Sequence, residues 1–335
     1  MNNYPKVSII ILNWNGLKDT IECLESLKKI TYLNYEVIVI DNGSKGNDVD
    51  ILKGKYKDYI KLIRNKENLG FAEANNIGIR EVIKEGRSEY ILTLNNDTTV
   101  EPNFLDELIK CAQKHPEAGS IQPKMILAKW PQYIDSIGLE LSKTGFGFNL
   151  GAYQNPDLFN QEFEILGPCA GAALYKIEAI KDIMIDNEFF DRDFFCYYED
   201  MDVALRLRWA GWKSWYCPKS IVYHKRGGAG GVKNKFTTYY VTRNQNWNLF
   251  KNLPFVFILR NFPFIFSAQI AQLGINLLKG KILLLPTLIK GRIDGYLGLA
   301  TILKKRKKIK KISDFSIIEK FLSLKWRIKI PKEIN

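Results

Sequence analysis

Two periodicities alternate along the first hundred residues. Residues 7–12 and 36–40 are short β-branched runs bounded by polar positions, the pattern of strands buried on both faces. Between them, Leu17, Ile21, Leu24 and Leu27 recur at helical spacing within residues 17–30, so the three segments predict a βαβ unit. The pattern repeats, with a strand at 59–63, a helix at 71–84 and a strand at 90–94, after which Pro102 opens a helix over 103–114. Such alternation predicts an α/β layer built on a mostly parallel sheet.

The strands end in polar residues. Asn13-Trp14-Asn15-Gly16, Asp41-Asn42-Gly43-Ser44 and Asn95-Asn96-Asp97 each close a strand run, and in open parallel sheets ligands bind beyond the carboxyl ends of the strands. Any one cluster reads as ordinary turn chemistry; three at successive strand ends predict a nucleotide crevice. The chain has neither a GxGxxG nor a Walker A sequence, which argues against dehydrogenase and P-loop chemistry. Residues 129–168 show little periodicity. Beyond them an aromatic block, Phe189 onward, leads into a helix that runs to Ala210 with Gly211 as its stop. Asp202 and Arg206 are spaced to pair on the surface of that helix, a structural role. Glu199 and Asp200 stand at its entrance, where a carboxylate either complements the helix dipole or, set against apolar walls, serves as a base.

Composition bounds the class. With 46% hydrophobic and 25% charged residues, the chain can bury enough apolar surface to fold, which excludes disorder as its main state. Its net charge of +13 is not spread evenly: residues 251–335 hold 18 Lys/Arg against 4 Asp/Glu, whereas residues 1–250 hold 31 against 32. Cys23, Cys111, Cys169, Cys196 and Cys217 are odd in number and in no CxxC spacing, which favours a reducing compartment. The N-terminus lacks the basic and apolar regions of a signal peptide, so a cytoplasmic body is expected.

Taken in order, these residues resemble glycosyltransferase family 2, with its GT-A nucleotide-sugar fold, and most of all its rhamnosyltransferase-like branch. The resemblance spans about residues 5–250. It rests on the three strand-end clusters, on Asn65-Lys66-Glu67-Asn68-Leu69-Gly70-Phe71, on the block 190–206 and on Tyr223-His224 before a glycine-rich loop. It implies that Asp41 contacts the nucleobase with Asn13 nearby, that Asn68 and Gly70 line the nucleotide pocket, and that Asn96 reaches the ribose. Asp97 would bind a divalent metal, Mg²⁺ or Mn²⁺, with His224 completing the metal shell; Asn95 stands where the family's DxD-type motif has its first acid. Asp200 would be the base that deprotonates the acceptor and Glu199 its support, in a single displacement that inverts the anomeric centre.

The tail adds a location. Residues 253–303 are rich in Phe, Leu and Ile, but Asn261, Pro263, Ser267, Gln269, Gln272 and Asn276 interrupt them, which suits interfacial helices better than a spanning one. Residues 304–311 then place seven cations in eight positions beside that apolar surface, the pairing expected for an anionic leaflet. The expectation is a catalytic domain over 1–250, a membrane-associating region over 251–335, and peripheral attachment at the cytoplasmic face of the cell membrane. The activity expected is metal-dependent transfer of a sugar, dTDP-rhamnose being one candidate donor, to a lipid-linked or polysaccharide acceptor. A polyprenyl-phosphate sugar transferase and a non-catalytic nucleotide-sugar-binding scaffold are the alternatives. Nucleic acid is not expected as a partner, since the basic segment contains no recognised binding module.

Overall fold

A computed structural model of the protein describes residues 4–226, 234–312, 314–324 and 330–334; the glycine-rich loop at 227–233 lies outside them. The first half alternates as its periodicity requires: β1 (Val7–Asn13), α1 (Leu17–Leu27), β2 (Tyr35–Asp41), α2 (Asp48–Tyr56), β3 (Ile60–Arg64), α3 (Gly70–Glu85) and β4 (Tyr90–Asn95). Then come β5 (Thr98–Val100), α4 (Phe104–Lys114), β6 (Ala118–Leu127), β7 (Ile134–Ser136), β8 (Leu139–Ser142), β9 (Gly147–Asn149) and β10 (Phe163–Glu164). The remaining elements are β11 (Ala172–Lys176), α5 (Ile177–Ile183), α6 (Glu199–Trp209), β12 (Lys213–His224), α7 (Lys235–Asn252), α8 (Phe255–Leu278), α9 (Leu285–Leu297), α10 (Leu299–Arg306), α11 (Ser316–Glu319) and β13 (Leu322–Ser323).

The main sheet runs β10-β12-β6-β11-β4-β1-β2-β3. Strands β1 to β4 are mutually parallel, β12 is parallel to β6, and β11 enters antiparallel between β4 and β6. Alternation along each strand supplies both faces. Val7, Ile9, Ile11, Val37 and Val39 pack under α1, α2 and α4, while Ile10, Ile38 and Ile40 pack under α3, α5 and α6. The register sets Asn13 opposite Asp41 and Leu12 opposite Asn95, so the polar strand ends share one edge of the sheet.

Two features differ from the sequence reading. Helix α2 was not anticipated; of its nine residues only Asp48, Leu52 and Tyr56 are buried, too few for a periodic signal. Asp202 and Arg206 do pair, at 2.8 Å, but inside the protein rather than on the helix surface: their side chains are 0% and 2% exposed. Helix α7 covers them, placing Lys251 2.8 Å from Asp202 and 2.6 Å from Asp191.

Residue 250, expected as a domain border, falls inside α7. The tail contributes Phe257, Ile258, Ile265, Ile309 and Ile318 to one apolar cluster with Leu139, Leu141, Phe194, Tyr198, Met201 and Trp209, and β13 pairs with β8. Part of the basic run also pairs with aspartates of the body. Lys305 pairs with Asp191 and Asp193, Lys308 with Asp186, and Lys310 with Asp182, and Arg306 donates to the carbonyls of Phe250, Lys251 and Leu253. Helix α8 buries Phe257, Ile258, Ile265 and Ala268. On its other side it exposes Phe255, Leu259, Phe262, Phe266 and Ile270. Among the described residues it is the one helix long and apolar enough to cross a membrane, with a mean hydropathy of 1.3.

Candidate active site

Beyond the ends of β1, β2 and β4 lies a cavity of about 650 Å³, within the range of small-molecule sites. Trp14, Asn42, Asn68, Gly70, Asn95, Asn96, Asp97, Glu199, Asp200, His224 and Arg226 all contribute to its wall. Asn13 and Asp41 lie behind it, both 0% exposed. Asn13 Nδ2 donates to Asp41 Oδ2 at 2.8 Å, to Asp48 Oδ2 at 3.0 Å and to Ser44 Oγ at 3.1 Å, while Thr20 Oγ1 donates to Asn13 Oδ1 at 2.7 Å. One amide thus ties the β1 end to the loop after β2. Asn96 Nδ2 donates to Thr20 Oγ1 at 2.9 Å, adding the turn after β4 to the same network.

A second amide organises the approach to α3. Asn42 Oδ1 accepts from Asn65 Nδ2 at 3.0 Å and from the Leu69 N–H at 3.1 Å, and Asn42 Nδ2 donates to Asn68 Oδ1 at 2.9 Å. Asn68 Oδ1 also accepts from the Gly70 N–H at 2.8 Å. Gly70 has φ +80°, and a Cβ there would stand 2.5 Å from the Phe195 carbonyl oxygen. Only glycine tolerates both the dihedral and the approach.

At the other side of the wall a chain of charges crosses the cavity. Asp97 Oδ1 faces His224 Nε2 at 3.1 Å, His224 Nδ1 faces Asp135 Oδ2 at 2.6 Å, and Asp135 Oδ1 pairs with Arg226. Burial disfavours the imidazolium, yet Asp135 and Asp97 outweigh it and push the His224 pKa up to about 10. Burial likewise disfavours the Asp135 carboxylate, but Arg226 and His224 hold it below the usual range. A carboxylate oxygen and an imidazole nitrogen at this separation, with the other ring nitrogen fixed by a second carboxylate, are a donor pair that fits a divalent cation. Asn95 occupies the neighbouring turn position and lines the cavity.

Glu199 and Asp200 form the first turn of α6. Asp200 Oδ1 accepts the Met201 N–H at 2.8 Å and Oδ2 the Ala170 N–H at 3.4 Å. Burial raises the Asp200 pKa above the ordinary carboxylate value despite those donors. Burial, then the adjacent Asp200, raises Glu199 well above it, and Glu199 Oε2 is buried with no hydrogen-bond partner among the described residues. The chain entering α6 is strained, since Phe195, Tyr197 and Tyr198 all have φ between +65° and +69°, a conformation costly for aromatic residues. It is held from outside. Asn244 Nδ2 lies 2.8 Å from each of the Phe194, Cys196 and Tyr197 carbonyl oxygens, and Arg243 donates to Asp193 and Phe194.

The model of Glycosyl transferase family 2 matches residues 8–184, more than half of the chain. The chain belongs to that family. An uncharacterized glycosyltransferase of Haemophilus influenzae is 31% identical over 117 residues, covering 34% of this chain and 35% of the relative. About a third of the length of the first curated relatives is thus matched. In three dimensions the protein is similar to GalNAc-T7, crystallised with UDP, GalNAc and Mn²⁺, with a TM-score of 0.59 at 15% identity over 78% of this chain and 55% of that one. It is also similar to the mannosyltransferase PcManGT of Pyrobaculum calidifontis, in complex with GDP-Man and Mn²⁺, with a TM-score of 0.54 at 14% identity over 92% and 86%. At these identities the likeness shows the fold, a GT-A-like α/β layer.

Within this family 2 fold, the cavity gathers seven of the nine residues singled out from the sequence: Asn68, Gly70, Asn96, Asp97, Glu199, Asp200 and His224. Asn13 and Asp41 brace its floor. Sequence reasoning missed Asn42, Asp135, Arg226 and Asn244. Asn42 stood within a noted turn cluster; the others act through partners far away in the chain.

Proposed function

We propose that the protein transfers a sugar from a nucleoside-diphosphate donor to an acceptor hydroxyl, with inversion, at the cytoplasmic face of a membrane. The supporting observation is that one cavity holds the Asp97–His224 pair together with the Glu199–Asp200 pair. The first suits the departing diphosphate and the second the incoming nucleophile.

The donor would enter over the loop organised by Asn42, with Asn68 and Gly70 beneath the nucleoside and the Trp14 indole, 46% exposed at the cavity wall, offering a flat face to the base. Asn96 would reach the ribose. A divalent cation, Mg²⁺ or Mn²⁺, held by Asp97 and His224 would neutralise charge building on the leaving diphosphate. Asp200 takes the acceptor proton as the hydroxyl oxygen attacks the anomeric carbon, the carbon–oxygen bond to the diphosphate breaking on the opposite side. Glu199, kept neutral by burial and by Asp200, leaves Asp200 to carry the single negative charge of the pair. A single displacement of this kind inverts the centre and requires no covalent sugar–enzyme intermediate.

Rhamnose is the sugar favoured by the sequence resemblance, and a lipid-linked or polysaccharide acceptor is favoured by the apolar face of α8. Arg260 on α8, Lys279 and Lys281 just after it, and Lys304 and Lys307 further along the tail are exposed, and cations beside apolar side chains bind anionic leaflets. A thermal-shift panel of nucleotide sugars, including dTDP-rhamnose, UDP-GlcNAc and GDP-mannose, with and without Mn²⁺, tests the donor class, because ligands that bind only the native state raise its apparent stability. One donor should give a Mn²⁺-dependent shift that its free sugar does not. A flat panel would argue against the reading.

A further inference from the structure

Away from the cavity, where α4 ends, three elements bring sulfur, nitrogen and oxygen donors together. Cys111 and His115 are four residues apart, which places them on one side of the last helical turn. Glu162 reaches them from the segment before β10, and ligand atoms of all three lie within 4.8 Å of one another. His115 Nε2 stands 3.0 Å from Glu162 Oε2, while Nδ1 turns toward Glu117 at 3.8 Å. The ring is fixed flat against Trp215, centroids 3.6 Å apart. From β12, the Cys217 thiol adjoins that of Cys111. Its sulfur is approached by the backbone N–H groups of Ser220 and Lys219, where the β12 register against β6 shifts between Cys217 and Ile221.

We infer that Cys111, His115, Glu162 and Cys217 form a zinc site distinct from the Asp97–His224 pair. Two sulfurs, one imidazole and one carboxylate make a four-donor set of the kind zinc takes in closed tetrahedral sites. The soft thiolates select against Mg²⁺ and Mn²⁺. Zinc bonds of about 2.0–2.3 Å set tetrahedral donors roughly 3.2–3.8 Å apart, so Cys111, His115 and Glu162, within 4.8 Å of one another, need only a modest contraction. The Cys217 sulfur, which of the three adjoins Cys111 alone, must swing toward the ion to become the fourth donor. Glu117, 3.8 Å from Nδ1, would supply the carboxylate that orients a zinc-bound histidine once it closes to hydrogen-bond distance. Amide N–H groups aimed at Cys217 stabilise a thiolate there, and the Cys217 contact to the Glu107 carbonyl at 3.5 Å is given up with the thiol proton. Two thiolates and a carboxylate around Zn²⁺ leave one net negative charge, which Lys114, 2.7 Å from Glu162, offsets. Such a site would pin α4 and the segment before β10 to β12, the strand that ends in His224.

The test uses the full chain, stripped of metal by a chelator, kept reduced and titrated with Co²⁺ and then Zn²⁺. Wild type and Asp97→Asn should each take up one Co²⁺ with a thiolate-to-cobalt charge-transfer band, which one equivalent of Zn²⁺ abolishes. Cys111→Ser combined with Cys217→Ser should lose the band. His115→Gln, a half-buried position that spares the core thiols, should weaken zinc binding on the order of tenfold or more with an unchanged circular dichroism spectrum. Absence of the band in wild type, or equal zinc affinity in wild type and His115→Gln, would overturn the site.

Discussion

His224 Nε2 lies 3.1 Å from Asp97 Oδ1 although 127 residues separate them in the chain. The contact exists because β12 pairs antiparallel with β5, setting His224 opposite Thr98, one residue past Asp97. Without a cation the imidazole keeps its proton, since Asp135 and Asp97 outweigh burial and hold its pKa near 10.

A cation that uses Nε2 must displace that proton. Apparent Mn²⁺ affinity should therefore rise about tenfold per pH unit between pH 6.5 and 8.5, and calorimetry across that range would show it. His224→Ala should flatten the profile, and Asp97→Asn should remove metal-dependent donor binding while leaving the fold intact. A flat wild-type profile would take His224 out of the metal shell. In stability the sign follows from a raised histidine pKa: the metal-free fold gains fully below about pH 6.5 and loses the gain as pH climbs toward 10.

Asp200 and Glu199 have linkage of the same sign, from a different cause. Burial, not an oppositely charged partner, raises both carboxyls, so the native state binds more protons than the unfolded chain and stability falls as pH rises above about 4. Asp200→Asn and Glu199→Gln should each raise the melting temperature near pH 8, where wild type bears the cost of a buried charge. The same Asp200→Asn change should leave donor affinity nearly unaltered and cut turnover roughly a hundredfold or more with a hydroxyl acceptor. Full activity toward a polyprenyl phosphate in that variant would instead favour a phosphate acceptor, which needs no base.

Gly70→Ala puts a methyl group into a left-handed residue and 2.5 Å from the Phe195 carbonyl oxygen. Because the Phe195 carbonyl also accepts the Ala72 N–H at 3.1 Å, the strained entrance to α6 must move with it. A loss of about 1–3 kcal/mol in stability is expected, together with weaker donor binding. Denaturant titration and donor calorimetry on one preparation separate the two effects; an unchanged midpoint would show that the loop yields freely.

The parallel strands were legible because strands buried on both faces read as near-continuous apolar runs rich in β-branched residues, as β1 and β2 do and as β4 does with Ile91, Leu92 and Leu94. Asp97 and Asp200 were legible from the order of polar clusters around them. Asp135 was not: it sits in the aperiodic stretch 129–168, and its role is set by His224, 89 residues away. Asn244 belongs to α7, whose buried Asn244, Asn246, Asn248 and Asn252 interrupt any apolar periodicity and serve carbonyls and side chains of other elements. For Asp202 and Arg206, spacing revealed the pair but could not reveal its burial, because spacing within one helix carries no information about the Lys251 ammonium laid across it from α7. The pairing of the basic run was hidden in the same way. Counting charges along the chain cannot show that Lys305, Lys308 and Lys310 already face aspartates.

That docking changes how the membrane reading is tested. Cutting the chain after Phe250 would remove Lys251, whose ammonium lies 2.6 Å from Asp191 and 2.8 Å from Asp202, and strip Ile258, Ile265 and Ile309 from a shared core; such a truncation should unfold the body instead of merely freeing it from lipid. Substitution on the exposed face is the cleaner probe. Leu259, Phe262 and Phe266 are 74%, 56% and 54% exposed on α8, spaced to share one side. Burying each in a leaflet is worth about 1.5–3 kcal/mol. Replacing all three by Ser should therefore remove the liposome binding that survives high salt, with melting temperature and donor binding unchanged. Lys304→Gln with Lys307→Gln, exposed cations without an ion pair among the described residues, should instead lower the salt-sensitive part, at about 1 kcal/mol for each charge near an anionic surface. Liposome sedimentation across ionic strength, with and without anionic lipid, reads both components, and equal sedimentation of the triple-Ser variant and wild type would mean that α8 does not meet the membrane.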